Sequence, residues 1–138
     1  MFHAEFPDIA DKAEREEGSI FSPTFDDKGL VTCVVVDVAD DTILMLAFMN
    51  AEAVNLTLET GEVHFWSRSR QAIWKKGETS GNRLVLRELL TDCDQDAMIA
   101  RVEITGDRVA CHTGRRSCFY RHIDKADDGT WRLSFTPE

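Results

Sequence analysis

The chain has 138 residues, 43% of them hydrophobic and 30% charged, which suffices for one sizeable core and is too short for two ordinary domains. A formal net charge of −9 argues against a general nucleic-acid surface, and the longest aliphatic run, ILMLAFM, is far short of a membrane span, so neither nucleic acid nor membrane is an expected partner. The N-terminal stretch carries acids where a secretory signal needs a basic start and a long apolar stretch, so a cytoplasmic location is expected.

In chain order, residues 1–18 form an acidic helix or arm, with the run from Asp8 to Glu17 solvated and Gly18 as its stop. LVTCVVVDV and TILMLAFM then read as two strands joined at Ala39-Asp40-Asp41, a hairpin in which Cys33 belongs to the core. Asn50 caps a helix over AEAVNLTLET, with Val54 and Leu58 on its buried face and Gly61 just past its end. EVHFWS, RLVLRELL and AMIARVEIT read as further strands, and a last hairpin turns about Asp128-Gly129. The expected fold is a single 1–138 domain, mainly β of the α+β class, with a curled antiparallel sheet and one principal helix.

Charge is uneven along the chain: residues 1–62 hold three basic and fourteen acidic side chains, residues 63–138 thirteen and eleven. A cationic pocket in the second half is compatible with that balance, and so is an ordinary mixed surface. In a reducing compartment, clustered thiols point to metal binding or catalysis before structural disulfides. TDCDQD at 91–96 and CHTGRRSC at 111–118 bring three cysteines and three aspartates into one short part of the chain. If 92–96 is extended, Asp92, Asp94 and Asp96 lie on one side and Cys93 on the other, offering hard oxygens to one metal and a soft thiolate to a second.

Each motif has rivals. The aspartates match the first three ligand positions of a calcium-binding EF-hand loop, but Ala97 replaces the required glycine and the following AMIARVEIT alternates like a strand; a solvated turn also accounts for them. Cys111 and Cys118 lack the paired knuckles of a zinc ribbon, and three thiol ligands would leave a fourth position for water, whereas a fourth ligand from Cys33 would close the site. CHTGRRSC is one residue too short for a cysteine-phosphatase loop. FWSRSRQAIWKKGETSGNR combines aromatic, basic and hydroxyl side chains suited to a phosphate cradle, and equally to an ordinary loop.

Taken together, FWSRSR, WKKGETSGN, LLTDCDQDA and ACHTGRRSCFY resemble, in order, the motif series of the phosphoribosyl-AMP cyclohydrolase family over about residues 29–120. The resemblance implies a homodimeric pseudo-barrel and a hydrolase of histidine biosynthesis that opens the adenine ring of its nucleotide substrate at N1–C6. It carries Zn2+ onto Cys93, Cys111 and Cys118 and Mg2+ onto Asp92, Asp94 and Asp96, with each zinc shared between two subunits. His112, next to a zinc ligand, is the candidate general base. Candidate substrate contacts are Trp66, Arg68, Ser69, Arg70, Lys76, Glu78, Thr79, Ser80, Arg115 and Arg116, the cations among them being the phosphate anchors. Two departures stand out: Phe65 where tyrosine is usual, and Asn82 where many relatives have histidine. The chain ends soon after this region, with no room for a fused pyrophosphohydrolase domain, so only the cyclohydrolase step is expected.

Overall fold

The computed structural model describes residues 6–136, so the first five residues of the expected acidic arm lie outside the described residues. Helix α1 (Lys12–Glu17) bears out the rest of that arm: Asp11 caps it by accepting from Ala13 N, Gly18 N donates to Glu14 O, and none of its residues is buried. Strands β1 (Val31–Asp37) and β2 (Ile43–Met49) form the expected hairpin, closed where Asp41 takes φ 62° and donates its N–H to Asp37 O.

Helix α2 (Ala51–Thr60) starts where Asn50 Oδ1 accepts from Ala53 N at 2.8 Å and ends at Gly61, which adopts the left-handed φ of 75° that a residue with a Cβ resists. Val54 is buried as expected, but Leu58 is 45% exposed and Thr57 takes the inward position. The helix buries Ala53, Val54 and Thr57, and one further residue turns Leu58 about 100° away from that face. Burying Thr57 leaves no orphan, because its hydroxyl donates to Ala53 O at 2.8 Å and accepts from His64 N at 2.9 Å.

β3 (His64–Ser67) pairs with β4 (Ala72–Lys75), a strand inside the basic 65–83 segment that local pattern does not announce. β5 (Leu84–Thr91) and β6 (Ala97–Ile104) complete a four-stranded sheet in the order β2-β1-β6-β5. This sheet is mixed and not wholly antiparallel as expected: β1 and β6 run parallel, from Thr32 opposite Ala97 to Asp37 opposite Val102. Alternation identifies the face a strand buries but not the direction of its neighbour. The long excursion through α2 and β3–β5 brings β6 back in the same sense as β1.

One face of this sheet, with Cys33, Val35, Met98, Ala100 and Val102, joins Ala53, Val54, Phe65 and Leu84 in a single core. β7 (Arg121–Lys125) and β8 (Trp131–Phe135) make the last hairpin, turning through Gly129 with all ten strand residues exposed. The chain is thus mainly β with two helices and three open sheets among the described residues. No helix among them is long and apolar enough to cross a membrane.

Candidate active site

The aspartates sit on the connection from β5 to β6, which is a turn and not an extended segment, so of the two readings left open by the spacing the turn holds. Gln95 takes φ 59°, its N–H donates to Asp92 O, and Asp92 Oδ1 accepts from Asp96 N at 3.0 Å and Ala97 N at 3.2 Å. Folding back, in place of alternation, brings one carboxylate oxygen from each of Asp92, Asp94 and Asp96 within 4.8 Å of the others. Hydrogen bonding to Asp94 and Asp92, followed by burial and their charges, pushes the Asp96 carboxyl up to about 6. Burial pushes Asp92 the other way from its final position, which hydrogen bonds with Asp96, Ala97 and Asp94 hold below the usual carboxylate range.

Asp94 Oδ1 is buried with no hydrogen-bond partner. Three crowded carboxylates with an orphaned inward oxygen are a donor set that suits a hard divalent cation. The EF-hand alternative fails, since β6 follows where that motif needs a helix.

Gln95, not among the residues expected from the sequence, braces this turn. It is buried; its Oε1 accepts from Ser22 N at 2.8 Å, and its Nε2 donates to Arg15 O at 3.0 Å and Ile20 O at 3.3 Å. Thr24 adds two further ties, N to Gln95 O and Oγ1 to Asp94 O. An uncharged amide among four neighbouring acids and thiols was the available signal.

The thiols divide into two places. Cys111 and Cys118 are neighbours on the loop before β7, close enough to shift each other's thiol, and the loop's backbone closes through Ala110 N to Arg116 O and Cys111 N to Arg115 O. Burial pushes the Cys111 thiol up, but the Thr113 hydroxyl, 3.1 Å from its Sγ, together with the Thr113 amide, Cys118 and Lys76, leaves it net lowered. Cys118 is pushed up to about 11 by burial and then by the neighbouring Cys111, against the pull of Lys76. Two neighbouring soft donors fit a thiophilic ion such as zinc.

Cys93 is exposed on the aspartate turn and does not join them; the acidic trio is the one three-membered donor group among the described residues. Cys118 N donates to Leu44 O of β2, whereas Cys93 follows β5, so the thiols attach to opposite edges of the four-stranded sheet. Three strand spacings of about 4.8 Å separate those edges, roughly 14 Å. Cys33 lies in the core as expected, its thiol pushed up to about 12 by burial, and offers no fourth ligand.

His112 is exposed beside Cys111 in the turn that Gly114 N closes onto Cys111 O. The Lys76 charge draws both thiols down, so the start of the 76–80 loop lies within electrostatic reach of them. That loop leaves Glu78, Thr79 and Ser80 exposed and doubles back at Gly77, where φ is 85° and a Cβ would lie 2.4 Å from Asn82 C and O. Asn82 is buried and its Oδ1 accepts from Asp107 N at 2.7 Å, so it pins the loop from inside.

Trp66 and Arg68, with Asn50 and Gln71, line a cavity of about 370 Å3, and the Arg68 guanidinium lies 4.2 Å from the Phe48 ring centre. Ser69 and Arg70 are exposed on the β3–β4 turn, where Ser67 Oγ accepts from Arg70 N. Arg115 and Arg116 line a larger groove of about 1130 Å3 with Arg108, Phe119 and Tyr120. Arg115 stacks 4.2 Å over Tyr120, leaving its charge without an acidic partner in the ion pairs of the described residues. Arg116 is engaged otherwise: its Nη2 donates to Asp37 Oδ2 and Asp40 Oδ1, each at 2.8 Å, which ties the thiol loop to the β1–β2 hairpin.

A sequence profile described as phosphoribosyl-AMP cyclohydrolase matches residues 45–120. A phosphoribosyl-AMP cyclohydrolase of Chelativorans sp. (strain BNC1) is 57% identical over 123 residues, 89% of this chain and 88% of that protein. One of Sinorhizobium fredii is 55% identical over 128 residues, 93% of this chain and 84% of that protein. One of Mesorhizobium japonicum is 59% identical over 118 residues, 86% and 77%. The α+β chain with its carboxylate trio and thiol pair therefore falls among enzymes, in the class of hydrolases acting on cyclic amidine C–N bonds. It belongs to the phosphoribosyl-AMP cyclohydrolase family.

Proposed function

We propose that this chain opens the adenine ring of 1-(5-phosphoribosyl)-AMP at the N1–C6 bond, a cytoplasmic step of L-histidine biosynthesis, as a homodimer. Zinc would be held by Cys111 and Cys118 together with Cys93 of the partner subunit, and magnesium by Asp92, Asp94 and Asp96. The observation that carries this reading is the coincidence of both donor sets, of opposite hardness, inside the segment matched by the family profile.

The second ribose phosphate on N1 polarises the amidine and makes C6 electrophilic. Water adds at C6, the N1–C6 bond breaks, and the exocyclic nitrogen stays behind in a carboxamide. Bound zinc would supply Lewis acidity that brings the pKa of a water towards ~7. His112, exposed beside Cys111, accepts the proton of the attacking water and returns it to the departing N1. Arg68, Arg70, Lys76 and Arg115 offer cations to the two phosphates, with Ser69, Glu78, Thr79 and Ser80 as hydrogen-bonding neighbours and Trp66 as an apolar wall. Arg116 contributes by holding the thiol loop in place.

The test is to give the zinc- and magnesium-supplemented protein phosphoribosyl-AMP and follow the ultraviolet spectrum and product mass. Loss of the purine absorption with gain of one water is expected. A nucleotide that is bound but returned unchanged would reduce the protein to a binding module and overturn the proposal.

A further inference from the structure

Gln95 occupies a backbone position that its residue type does not favour. Its φ of 59° lies in the left-handed region, which glycine enters freely and a residue with a Cβ resists. The side chain supplies the compensation, because the amide is buried with both of its hydrogens and its oxygen engaged: Nε2 donates to Arg15 O at 3.0 Å and Ile20 O at 3.3 Å, and Oε1 accepts from Ser22 N at 2.8 Å.

The segment on the other side of these bonds lies 70 to 80 residues earlier in the chain. Residues 20–25 form neither helix nor strand, yet Ser22 and Pro23 are buried. Phe21 and Phe25 both meet Phe6, with ring centres 5.5 and 6.4 Å apart, and the three rings pack against the core. Ser22 Oγ donates to Pro7 O, which ties the segment to the chain before α1. Anchored by these contacts of its own, the segment also grips the turn backbone at two successive residues: Thr24 N donates to Gln95 O at 2.7 Å and Thr24 Oγ1 to Asp94 O at 2.9 Å.

What this grip holds is an arrangement that opposes itself. Carboxylate oxygens of Asp92, Asp94 and Asp96 lie within 4.8 Å of one another, and Asp94 Oδ1 is buried without a hydrogen-bond partner. Like charges that close repel. A cation relieves the repulsion, and it binds best where the backbone already keeps the three groups together.

We propose that Gln95 is a positioning residue through which the docked segment 15–24 preorganises the aspartate turn for a divalent cation, so that cation binding and docking of the segment are linked. The inference deepens the proposed function and rests on its assignment of the three carboxylates to a metal. Linkage is reciprocal: the factor that docking adds to cation affinity, the cation adds to docking. The rival account has the turn set by local backbone preference alone, in which case Gln95→Gly would bind at least as well as wild type.

The experiment uses the zinc-supplemented full chain and counts free Mn2+ by electron paramagnetic resonance, with magnesium as competitor; Asp94→Asn marks the binding that belongs to the turn. Gln95→Gly keeps the left-handed backbone accessible and removes the amide. It should bind Mn2+ about 10–100-fold more weakly, the loss typical when a group supporting metal ligands is removed, with its circular dichroism and zinc content unchanged. Thr24→Val, which removes only the hydroxyl tie to Asp94 O, should weaken binding by a smaller factor. Thr57→Val strips a buried hydroxyl in α2 and should lower Tm without moving Mn2+ affinity. Hydrogen exchange gives the reciprocal reading: magnesium should slow exchange of the Ser22 and Thr24 amides in wild type and not in Asp94→Asn.

Wild-type Mn2+ affinity in folded Gln95→Gly, equal weakening by Thr57→Val, or Ser22 and Thr24 amides indifferent to magnesium in wild type would each overturn the clamp. Should Gln95→Gly not fold, unchanged affinity in Thr24→Val decides against it in the same way. Ring opening by a Gln95→Gly protein of undiminished Mn2+ affinity would refute the clamp and leave the proposed function standing. A wild type that shows the coupling but returns phosphoribosyl-AMP unchanged would do the reverse, and one with no Asp94-dependent Mn2+ would remove the clamp together with the magnesium assignment.

Discussion

Arg116→Ala separates a brace from a substrate anchor. The Asp37 side chain is 4% exposed; its Oδ1 accepts from Ala39 N and its Oδ2 depends on Arg116 Nη2 at 2.8 Å. Removing the guanidinium strands that oxygen, at about 1–3 kcal/mol for an unsatisfied buried group, while the exposed Asp40 pair adds little. With about 2.1 cal/mol/K of unfolding entropy per residue, a chain of 138 residues should lose roughly 3–10 °C in Tm. Hydrogen bonds from Arg116 and Thr42 hold the Asp40 carboxyl below the usual range. Its small contribution is therefore full above the unfolded carboxylate pKa and fades as pH falls, so the gap between wild type and variant should be flat above about pH 5 and shrink only slightly below about pH 4, most of it resting on the stranded Asp37 oxygen. The assay is calorimetry across pH at fixed protein concentration, paired with steady-state kinetics. A variant with wild-type Tm and a raised KM for phosphoribosyl-AMP would make Arg116 a phosphate anchor and refute the brace.

His112→Ala should retain zinc and fold yet lose about 10²–10⁴-fold in turnover, as removal of a general acid–base group does; near-normal kcat in a zinc-replete variant would dismiss it as the proton carrier. Replacing Asp92 and Asp94 by asparagine should abolish stabilisation by added magnesium while metal analysis still finds zinc, since carboxylates and thiolates serve ions of different hardness; parallel loss of both metals would collapse the two-site assignment. In metal-free folded protein, exposed Cys93 should react readily with iodoacetamide and Cys118, its thiol pushed up to about 11, more slowly, while Cys33, fully buried with its thiol pushed up to about 12, stays unmodified until unfolding. Mass mapping that finds Cys33 labelled under native conditions would contradict its place in the core.

What the sequence revealed was mostly local. Asn50 and Gly61 announced the ends of α2, Asp128-Gly129 announced the last turn, and the β-branched surroundings of Cys33 announced its burial. What it concealed was set by distant partners. β4 is short and flanked by basic residues, and pairing with β3 is what makes it a strand. The parallel match of β1 with β6 joins segments more than sixty residues apart, and no alternation pattern encodes it. The aspartates were found as a set but for an incomplete reason, because the left-handed backbone of Gln95, clamped by residues 15–24, converts a strand end into a turn. Arg116 read as one more free cation; its carboxylate partners are 79 and 76 residues away.

The central claim is that one chain carries an incomplete thiol set, Cys93 at one sheet edge and Cys111 with Cys118 at the other, so that a working site needs two copies. The direct measurement is to refold an inactive Cys93→Ala chain with an inactive chain carrying Cys111→Ala and Cys118→Ala, and assay ring opening. In the mixed dimer one site collects every lesion and the other receives three intact thiols. Random pairing makes about half the dimers mixed with one good site each, so recovery to roughly a quarter of wild-type activity is expected. A mixture that stays inactive although native mass spectrometry finds mixed dimers would mean that each chain supplies all three thiols to its own site, and the account would fail.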